Sequence, residues 1–342
     1  MVDEPLARRG ASIELRSLTK VYGQTPAVDD LSVTVEPGVV TGFLGPNGAG
    51  KSTTLRMIVG LARPTSGTAT IGGKQYHEID RPLREVGALL DPKQFHPNRS
   101  ARNHLRWIAA ANDIPSQRID EVLEMVGLTD VANRHAGTFS LGMSQRLGIA
   151  VALLGDPQVL LFDEPVNGLD PEGIHWIRTL MKSLAAQGRT VLVSSHLLSE
   201  MANTADQLVV IGRGRLIAAT SMHEFVSRAG ADVVRVRSPQ IDTLRAAAEE
   251  SGFSVQGGDG GVLEVSGALI EQVGELAARL GVTLYELSPQ RVSLEDAYLS
   301  LTDDAVQYRS QVDEPLARRG SGTDEPSPRR ATSAVADVEG AH

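Results

Sequence analysis

The sequence of 342 residues is long enough for about two domains, and its 41% hydrophobic and 22% charged residues are ordinary for a globular protein. Its 33 basic and 42 acidic residues give a net charge of −9, which argues against a nucleic-acid or anionic-membrane binder that works by bulk electrostatics. The absence of cysteine excludes disulfides, iron–sulfur clusters and thiol catalysis, and is typical of a reducing compartment.

The beginning of the chain has no features of a membrane or secretory segment. No stretch approaches the about 18 uncharged apolar residues that a membrane span needs. The first ten residues, MVDEPLARRG, carry charges where a secretory signal would need its apolar segment. We therefore expect a cytosolic protein whose residues 1–12, which are polar and lack periodicity, form a flexible arm.

From residue 13 onward, the pattern predicts a parallel α/β core with a helical insertion. Alternating segments that begin at Ile13 and Leu31 predict short strands. The apolar run Val39–Gly45 predicts a buried strand that leads through a glycine-rich turn into a helix near Lys51. After Gly67–Gly73 the character of the sequence changes. The other predicted elements are helical spacing over Ser100–Leu128, a helix from near Gly142 to Gly155, and apolar strands at Val159–Phe162 and Thr190–Ser195 with a helix between them.

A second module begins near Glu224, and its βαββαβ order predicts a small ferredoxin-like fold. Its predicted elements are strand Val233–Val236, helix Ile241–Ser251, strands Phe253–Gln256 and Val262–Val265, helix Leu269–Leu280, strand Val282–Leu287 and helix Leu294–Leu301. The chain is thus divided into an arm (1–12), an α/β domain (13–223) with its insertion at about 92–150, a small α+β domain (224–303) and a tail (304–342).

The tail is rich in proline, serine, glycine and charge, a composition that predicts disorder. It contains VDEPLARRG at Val312–Gly320, identical to Val2–Gly10, and a degenerate copy at Asp324–Arg330. We interpret these copies as a duplicated, inert flexible segment. The alternative is a regulatory arm in which Thr332, which follows two arginines, is phosphorylated.

The segment GPNGAGKST (Gly45–Thr53) matches the phosphate-binding pattern G-x-x-x-x-G-K-[ST]. Its glycines allow successive N–H groups to turn toward phosphate oxygens. Lys51 supplies a mobile charge for the β- and γ-phosphates, and the Ser52 hydroxyl can bind Mg²⁺. An ordinary glycine-rich turn is disfavoured because strand, loop and helix follow in the required order. The predicted nucleotide-binding residues of this loop are Gly45, Asn47, Gly48, Ala49, Gly50, Lys51, Ser52 and Thr53.

The segment VLLFDEP (Val159–Pro165) ends an apolar strand with two carboxylates. At the carboxyl edge of a parallel sheet, where α/β proteins bind ligands, Asp163 would hold Mg²⁺ through its water shell. Glu164 would polarise the water that attacks the γ-phosphate. Alone, such a pair is usually a solvated turn or a cap, but a nearby phosphate loop favours the functional interpretation. The guanine-binding motif of GTPases, Asn-Lys-x-Asp, is absent from the sequence.

The segment FSLGMSQRLGIA (Phe139–Ala150) resembles the signature motif of ABC-transporter ATPases. The order of phosphate loop, signature, FDEP, GLD (Gly168–Asp170) and SSH (Ser194–His196) is similar to that of the same family. The chain looks most like bacterial drug-export ATP-binding subunits of the daunorubicin- and bacitracin-resistance type. These have similar SLGM-QR signatures and a small C-terminal domain that ends like SLEDAYLSLT (Ser293–Thr302).

The resemblance implies roles for further residues. Tyr22 would stack on adenine, and His196 would contact the γ-phosphate and the attacking water. The signature residues would face the γ-phosphate of ATP bound to another subunit, and Asp170 would link the two sites between subunits. Without the resemblance, Tyr22 is a half-buried strand residue and His196 a structural histidine. Ser140 and Asp170 are then helix caps, and for Ser140 this is compatible with the role in the signature. The signature residues are Ser140, Leu141, Gly142 and Met143.

Two positions depart from the family pattern. Asp91 stands where the family usually has a glutamine at the end of the strand before the insertion, and Gln94 is an alternative for that role. Leu141 and Met143 replace a glycine and a glutamine of the commonest signature. Related drug exporters share those replacements, so they do not predict an inactive protein.

The resemblance therefore implies a peripheral ATPase subunit on the cytoplasmic face of the membrane, with ATP and Mg²⁺ as cofactors. Its implied partners are a separate transmembrane permease and a second ATP-binding subunit, in a homodimer or a heterodimer, and the implied cargo is drugs, antibiotics or other hydrophobic compounds. One alternative is a soluble ABC ATPase that acts on ribosomes or chromosomes, but those usually have two nucleotide domains or coiled-coil arms. Another is a non-hydrolysing module, which the intact Lys51, Asp163, Glu164 and His196 argue against.

Overall fold

The computed structural model describes residues 10–229, 233–257 and 259–290. In the first range the strands are β1 (Ile13–Tyr22), β2 (Thr25–Val35), β3 (Val40–Leu44), β4 (Ser66–Ile71), β5 (Val86–Leu89), β6 (Val159–Asp163), β7 (Thr190–Ser195), β8 (Gln207–Gly212) and β9 (Arg215–Ser221). The helices are α1 (Lys51–Ile58), α2 (Pro82–Glu85), α3 (Ala101–Ala111), α4 (Gln117–Met125), α5 (Leu141–Leu153), α6 (Pro171–Ala186), α7 (Leu198–Ala202) and α8 (Met222–Ala229).

The central sheet has the order β5-β6-β7-β3-β8-β9, with β9 antiparallel to its neighbour and the other strands parallel. Its apolar strands are buried on both faces, which explains why they are continuous hydrophobic runs. In β6, Leu160 and Phe162 pack into a core shared with helices α3 to α6, whereas Val159 and Leu161 pack against α1 and a three-stranded antiparallel sheet of order β2-β1-β4. The predicted α/β core is confirmed.

The predicted helical insertion corresponds to α3, α4 and α5. Ser100 begins α3 as an N-cap whose hydroxyl accepts the N–H of Asn103 at 3.3 Å. The three helices share one hydrophobic core, to which they contribute Leu105, Leu123 and Leu147 respectively. The third helix begins at Leu141, one residue before the predicted start.

The segment after β7 was not predicted as strands, yet it forms β8 and β9 at one side of the central sheet. The following helix α8 packs Met222 and Phe225 into the same core as the insertion helices. This helix begins at Met222, whereas the second module was predicted to begin at residue 224. We therefore propose that the boundary lies after α8 rather than within it.

The remaining described residues form a third sheet with two helices. Its elements are β10 (Val233–Arg237), α9 (Ile241–Glu250), β11 (Ser254–Gly257), β12 (Val262–Ser266), α10 (Ile270–Leu280) and β13 (Glu286–Gln290). The antiparallel order β11-β12-β10-β13 is that of a ferredoxin-like fold, as the βαββαβ pattern predicts.

One predicted boundary in this sheet is wrong. The last strand was expected at Val282–Leu287, but β13 begins at Glu286 and includes Pro289, which has no N–H to donate. Proline is tolerated there because β13 is an edge strand. The predicted helix Leu294–Leu301 and the tail with its repeat lie outside the described residues. In the described part of the chain, no helix is long and apolar enough to cross a membrane.

Candidate functional site

Three neighbouring strands of the central sheet, β6, β7 and β3, end at the same edge. In the parallel register, Asp163 of β6 is opposite Ser194 of β7, and Ser195 of β7 is opposite Leu44 of β3. The segments that follow these strands therefore meet at the carboxyl edge of the sheet, where α/β proteins bind ligands. These segments are the glycine-rich loop, the Asp-Glu pair and the segment around His196.

The loop after β3 leads directly into α1. Gly50 caps this helix with a φ of 104°, and a Cβ at this position would lie 2.4 Å from the carbonyl oxygen of Ala27. Only glycine fits here, because the φ is left-handed and the space is filled by backbone. No side chain caps the helix, so the N–H groups of its first turn remain available to an anion.

The loop also borders an open cleft of about 400 Å³. The ring of Tyr22, 55% exposed, lies at this cleft, and the ammonium of Lys20 is 5.0 Å from its centre. The side chain of Ala49 is buried, so this residue contributes little to the surface of the cleft. Its N–H donates to the carbonyl oxygen of Pro46 at 3.1 Å, within the loop. The predicted loop residues that line the cleft are Asn47, Gly48, Ala49, Gly50, Lys51, Ser52 and Thr53.

The side chain of Lys51 is held inside the loop. Its Nζ donates to the carbonyl oxygen of Gly45 at 2.6 Å and lies 3.5 Å from Oε1 of Glu164. Burial lowers the pKa of Lys51 below its ordinary value, and the carboxylates of Glu164 and Asp163 oppose that effect. The result is a cation placed at the floor of the glycine-rich loop.

Glu164 is the point where the three segments meet. The Nδ1–H of His196 donates to Oε2 of Glu164 at 2.9 Å, and this nitrogen must carry the hydrogen because a carboxylate only accepts. The other oxygen of the carboxylate is the one that faces Lys51. Asp163, one residue earlier, accepts a hydrogen bond from Ser194 Oγ at 2.5 Å. A carboxylate, an imidazole and an ammonium thus lie together beside an anion-binding loop.

The signature residues begin α5 and lie close to the segment before α6. Ser140 caps α5 by accepting the N–H of Met143 at 3.2 Å, and Asp170 caps α6 by accepting the N–H of Gly173 at 2.9 Å. A Cβ at Gly168 would lie 2.2 Å from a side-chain carbon of Leu141, so the two segments are packed tightly. Both predicted helix caps are therefore observed. Leu141 remains 46% exposed.

Asp91 and Gln94 lie in the loop after β5 and are both exposed. The carboxylate of Asp91 accepts the N–H of Lys93 at 2.9 Å, so it stabilises its own turn. In the described residues, no hydrogen bond or ion pair joins either side chain to Asp163 or Glu164. A contact of Asp91 or Gln94 with the metal therefore stays a prediction.

Comparison with known proteins agrees with this geometry. The family model "ABC transporter" matches residues 28–167, and "Domain of unknown function (DUF8746)" matches residues 232–295. The chain is 45% identical to the bacitracin transport ATP-binding protein BcrA of Bacillus licheniformis over 60% of this chain and 68% of that protein. It is 35% identical to the Nod factor export ATP-binding protein I of Burkholderia lata over 87% of this chain and 99% of that protein.

The chain belongs to the family of ABC transporter ATP-binding proteins. It is therefore an ATPase, and the nucleotide that it binds is ATP. Among solved structures, "Structure of ATP binding subunit of ABC transporter" is similar at a TM-score of 0.58 and 28% identity, covering 64% of this chain and 93% of that chain. The resemblance that the signature motif implies is thus confirmed.

The donor set of this ABC ATPase fits a magnesium ion that arrives with ATP. No cluster of three or more histidine and carboxylate side chains that could hold a metal is found within the described ranges. Ser52 and Asp163 instead offer one hydroxyl and one carboxylate with a free second oxygen. Mg²⁺ is usually held by one or two carboxylates together with substrate phosphates and water, so this hydroxyl and carboxylate are of the right chemical type, and their contact with the metal stays a prediction.

Two residues of the site were given no role from the sequence. Ser194 was noted only as part of SSH, and Gln145 only as part of the signature segment. In the structure both form hydrogen bonds with the backbone of Glu164, at 3.0 and 3.2 Å respectively. Ser194 could have been found from the sequence, because it lies at the carboxyl end of Thr190–Ser195, the next predicted strand after the one that ends at Asp163. Nothing in the sequence indicates the contact of Gln145.

Proposed function

We propose that this chain is the ATP-hydrolysing subunit of an ABC exporter. The observation that carries the proposal is the placement of the Glu164 carboxylate, 2.9 Å from His196 Nδ1 and 3.5 Å from Lys51 Nζ, beside the glycine-rich loop. ATP hydrolysis needs a cradle for the phosphates, a positive charge near the γ-phosphate and a group that orients the attacking water. Each of these needs has a candidate residue at this edge of the sheet.

The phosphates of ATP bind along the loop Gly45–Thr53. The free N–H groups at the start of α1 donate to phosphate oxygens, and the ammonium of Lys51 exchanges its loop carbonyls for the β- and γ-phosphates. Tyr22 stacks its exposed ring on the adenine at the other end of the cleft.

Hydrolysis then depends on Glu164 and His196. The carboxylate of Glu164 accepts the proton of the attacking water as general base. His196 is already hydrogen-bonded to that carboxylate and orients it toward the γ-phosphate. Ser52 and Asp163 would hold Mg²⁺, which neutralises charge that develops on the phosphate oxygens when it is bound.

A complete site is formed by two chains. The sequence has one phosphate loop and one signature, and the exposed Leu141 and the capped start of α5 are available to a second subunit. We propose a head-to-tail dimer in which Ser140–Met143 of one chain close over ATP bound to the other, with Asp170 between the two sites. The second subunit is either a copy of this chain or a related ATP-binding chain.

Transport requires a membrane-spanning permease, to which this chain attaches on the cytoplasmic face through the groove between its core and its helical insertion. Two relatives support this proposal, because one is named for bacitracin transport and the other for Nod factor export. We propose antibiotics, drugs or similar hydrophobic molecules as the cargo. The transport path itself belongs to the permease.

Replacing Lys51 with alanine is expected to weaken MgATP binding by about tenfold or more, because a hydrogen bond to a charged group contributes about 1.5–3 kcal/mol. Isothermal titration calorimetry measures the affinity. The exposed Lys182 on α6 provides a matched control, and its replacement by alanine should leave binding unchanged. Equal affinity of the Lys51 variant and the parent would contradict the assignment of the loop.

Purification of the affinity-tagged full chain from detergent-solubilised membranes of its source tests the exporter assignment. We expect a multi-span membrane protein in a fixed ratio with the chain, and ATP hydrolysis by that complex. Recovery of ribosomal or chromosomal components in its place would support the alternative class of ABC ATPase and reject the exporter.

A further inference from the structure

The backbone of Glu164 has an unusual conformation. Its φ is 49°, in the left-handed region that residues with side chains rarely adopt. Such a conformation costs about 1–3 kcal/mol and persists only where the surrounding structure holds it. The backbone conformation of Glu164 sets the direction in which its side chain leaves the main chain. The groups that stabilise this conformation therefore also place the carboxylate between His196 and Lys51.

Two side chains hold this residue by its backbone. The N–H of Glu164 donates to Oγ of Ser194 at 3.0 Å, and its carbonyl oxygen accepts from Nε2 of Gln145 at 3.2 Å. The same carbonyl also accepts from the backbone N–H of Asn167 at 3.2 Å, within the turn that follows β6. Ser194 is fully buried and Gln145 is 1% exposed, so water does not replace either bond. Each polar backbone group of this strained residue thus bonds to a buried side chain, the N–H to one from β7 and the carbonyl to one from α5.

Ser194 also connects the two acidic residues. Its hydroxyl donates to Oδ1 of Asp163 at 2.5 Å while its oxygen accepts the N–H of Glu164. A hydroxyl can do both at once, since it has one hydrogen and two lone pairs. The relative positions of the two carboxylate-bearing residues therefore depend on one serine.

Gln145 connects Glu164 to the signature helix of the same chain. It lies on α5 a little over one turn after the cap Ser140. The next residue, Arg146, donates to the carbonyl of Val126 at 3.0 Å and stacks over the ring of Trp176 at 4.5 Å. These contacts restrict rotation of α5 about its axis, so that Gln145 keeps facing Glu164.

We propose that Gln145 and Ser194 are positioning residues for the general base, an inference that rests on the proposed role of Glu164. They hold its backbone in the left-handed conformation and so aim its carboxylate. Through Gln145, a shift of α5 when its signature end meets ATP on the other subunit moves the carbonyl of Glu164. Each chain thereby couples the ATP site that its signature helps to form to the ATP site that its own Glu164 serves.

Gln145→Met and Ser194→Ala test this inference, because each removes the hydrogen bond and keeps a similar or smaller volume. Each should lower kcat about three- to tenfold, the rate equivalent of one hydrogen bond. Gln145→Met should leave the affinity for MgATP and KM unchanged, whereas Ser194→Ala also removes the hydrogen bond to Asp163, a proposed Mg²⁺ ligand, and is expected to lower that affinity as well. Gln145→Met should leave the melting temperature nearly unchanged, because it also removes the buried Oε1 of Gln145, which has no hydrogen-bond partner. Ser194→Thr keeps the hydroxyl and should restore most of the kcat.

Gln158→Met is the matched control. Gln158 precedes β6 at the opposite edge of the sheet, and its Oε1 is also buried without a partner. Its replacement should not change kcat. An unchanged kcat in Gln145→Met and Ser194→Ala would overturn the inference. An equal loss of kcat in the Gln158→Met control would also overturn it, as would a loss of kcat that is explained by a lower melting temperature of the variants. Full turnover in Glu164→Gln would instead reject the role of the general base itself.

Discussion

Glu164→Gln is expected to lower kcat for ATP hydrolysis by about 10²–10⁴-fold, because a positioned general base contributes a factor of this size. The amide has the shape of the carboxylate but cannot take the proton of the attacking water. Binding should persist, since Lys51 and the N–H groups at the start of α1 are unaffected. Phosphate release under saturating MgATP measures the rate, and calorimetry measures the affinity.

A nearby carboxylate provides the control for this prediction. Glu200 on α7 accepts a hydrogen bond from Ser195 Oγ at 2.8 Å, and glutamine at this position can still accept that bond. Glu200→Gln should therefore hydrolyse ATP at the rate of the parent. If Glu164→Gln also retained the parental rate, the base would have to be another group, and the proposed mechanism would fail.

A disulfide between two chains is expected when cysteines are placed at Asn47 and Leu141, in the loop and the signature respectively. The chain has no cysteine of its own, so the only pair available is the engineered one. Both positions are exposed in the single chain, which makes them accessible to a second one. A disulfide needs Cα atoms within about 7 Å, so it reports direct approach of the two motifs.

The experiment mixes an Asn47→Cys chain with a Leu141→Cys chain, both carrying Glu164→Gln so that ATP persists. With MgATP and mild oxidant, we expect a product of about twice the chain mass of 36.4 kDa. Each variant alone should yield much less, because its cysteine would face Leu141 or Asn47 of the other chain. Omitting ATP should suppress the product, since the γ-phosphate is the anion that draws in the start of α5.

Because the isolated chain can dimerise weakly, the crosslinking experiment is repeated with its membrane partner present. The absence of an ATP-dependent product there as well would reject the head-to-tail dimer of this chain. Mixing one of these cysteine variants with a related ATP-binding chain that carries the complementary cysteine would then test the heterodimer.

The motifs of the site were predictable because each is local in sequence. The loop Gly45–Thr53 can be recognised from spacing alone, since its glycines, its lysine and the start of α1 act within nine consecutive positions. The same is true of the helix caps Ser140 and Asp170, whose partners lie three residues ahead. The strands β3, β6 and β7 were also predictable, because a strand buried on both faces is a continuous apolar run rather than an alternation of apolar and polar residues.

Elements whose place depends on partners distant in the chain were predicted less well. The strands β8 and β9 were missed, although β8 completes the central sheet beside β3. The start of β13 was misplaced because its pairing with β10, rather than the alternation of Val282–Leu287, decides where the strand begins.

The sequence by itself determined the family, the phosphate loop and the identity of the acidic pair, because these are encoded by short runs of residues with fixed spacing. Only the tertiary structure decided that Glu164 meets both Lys51 and His196, since that depends on the order of β6, β7 and β3 in the sheet. It also decided the left-handed backbone of Glu164 and its bonds to Ser194 and Gln145. Those contacts join residues 19 and 30 positions apart, and packing rather than spacing brings them together.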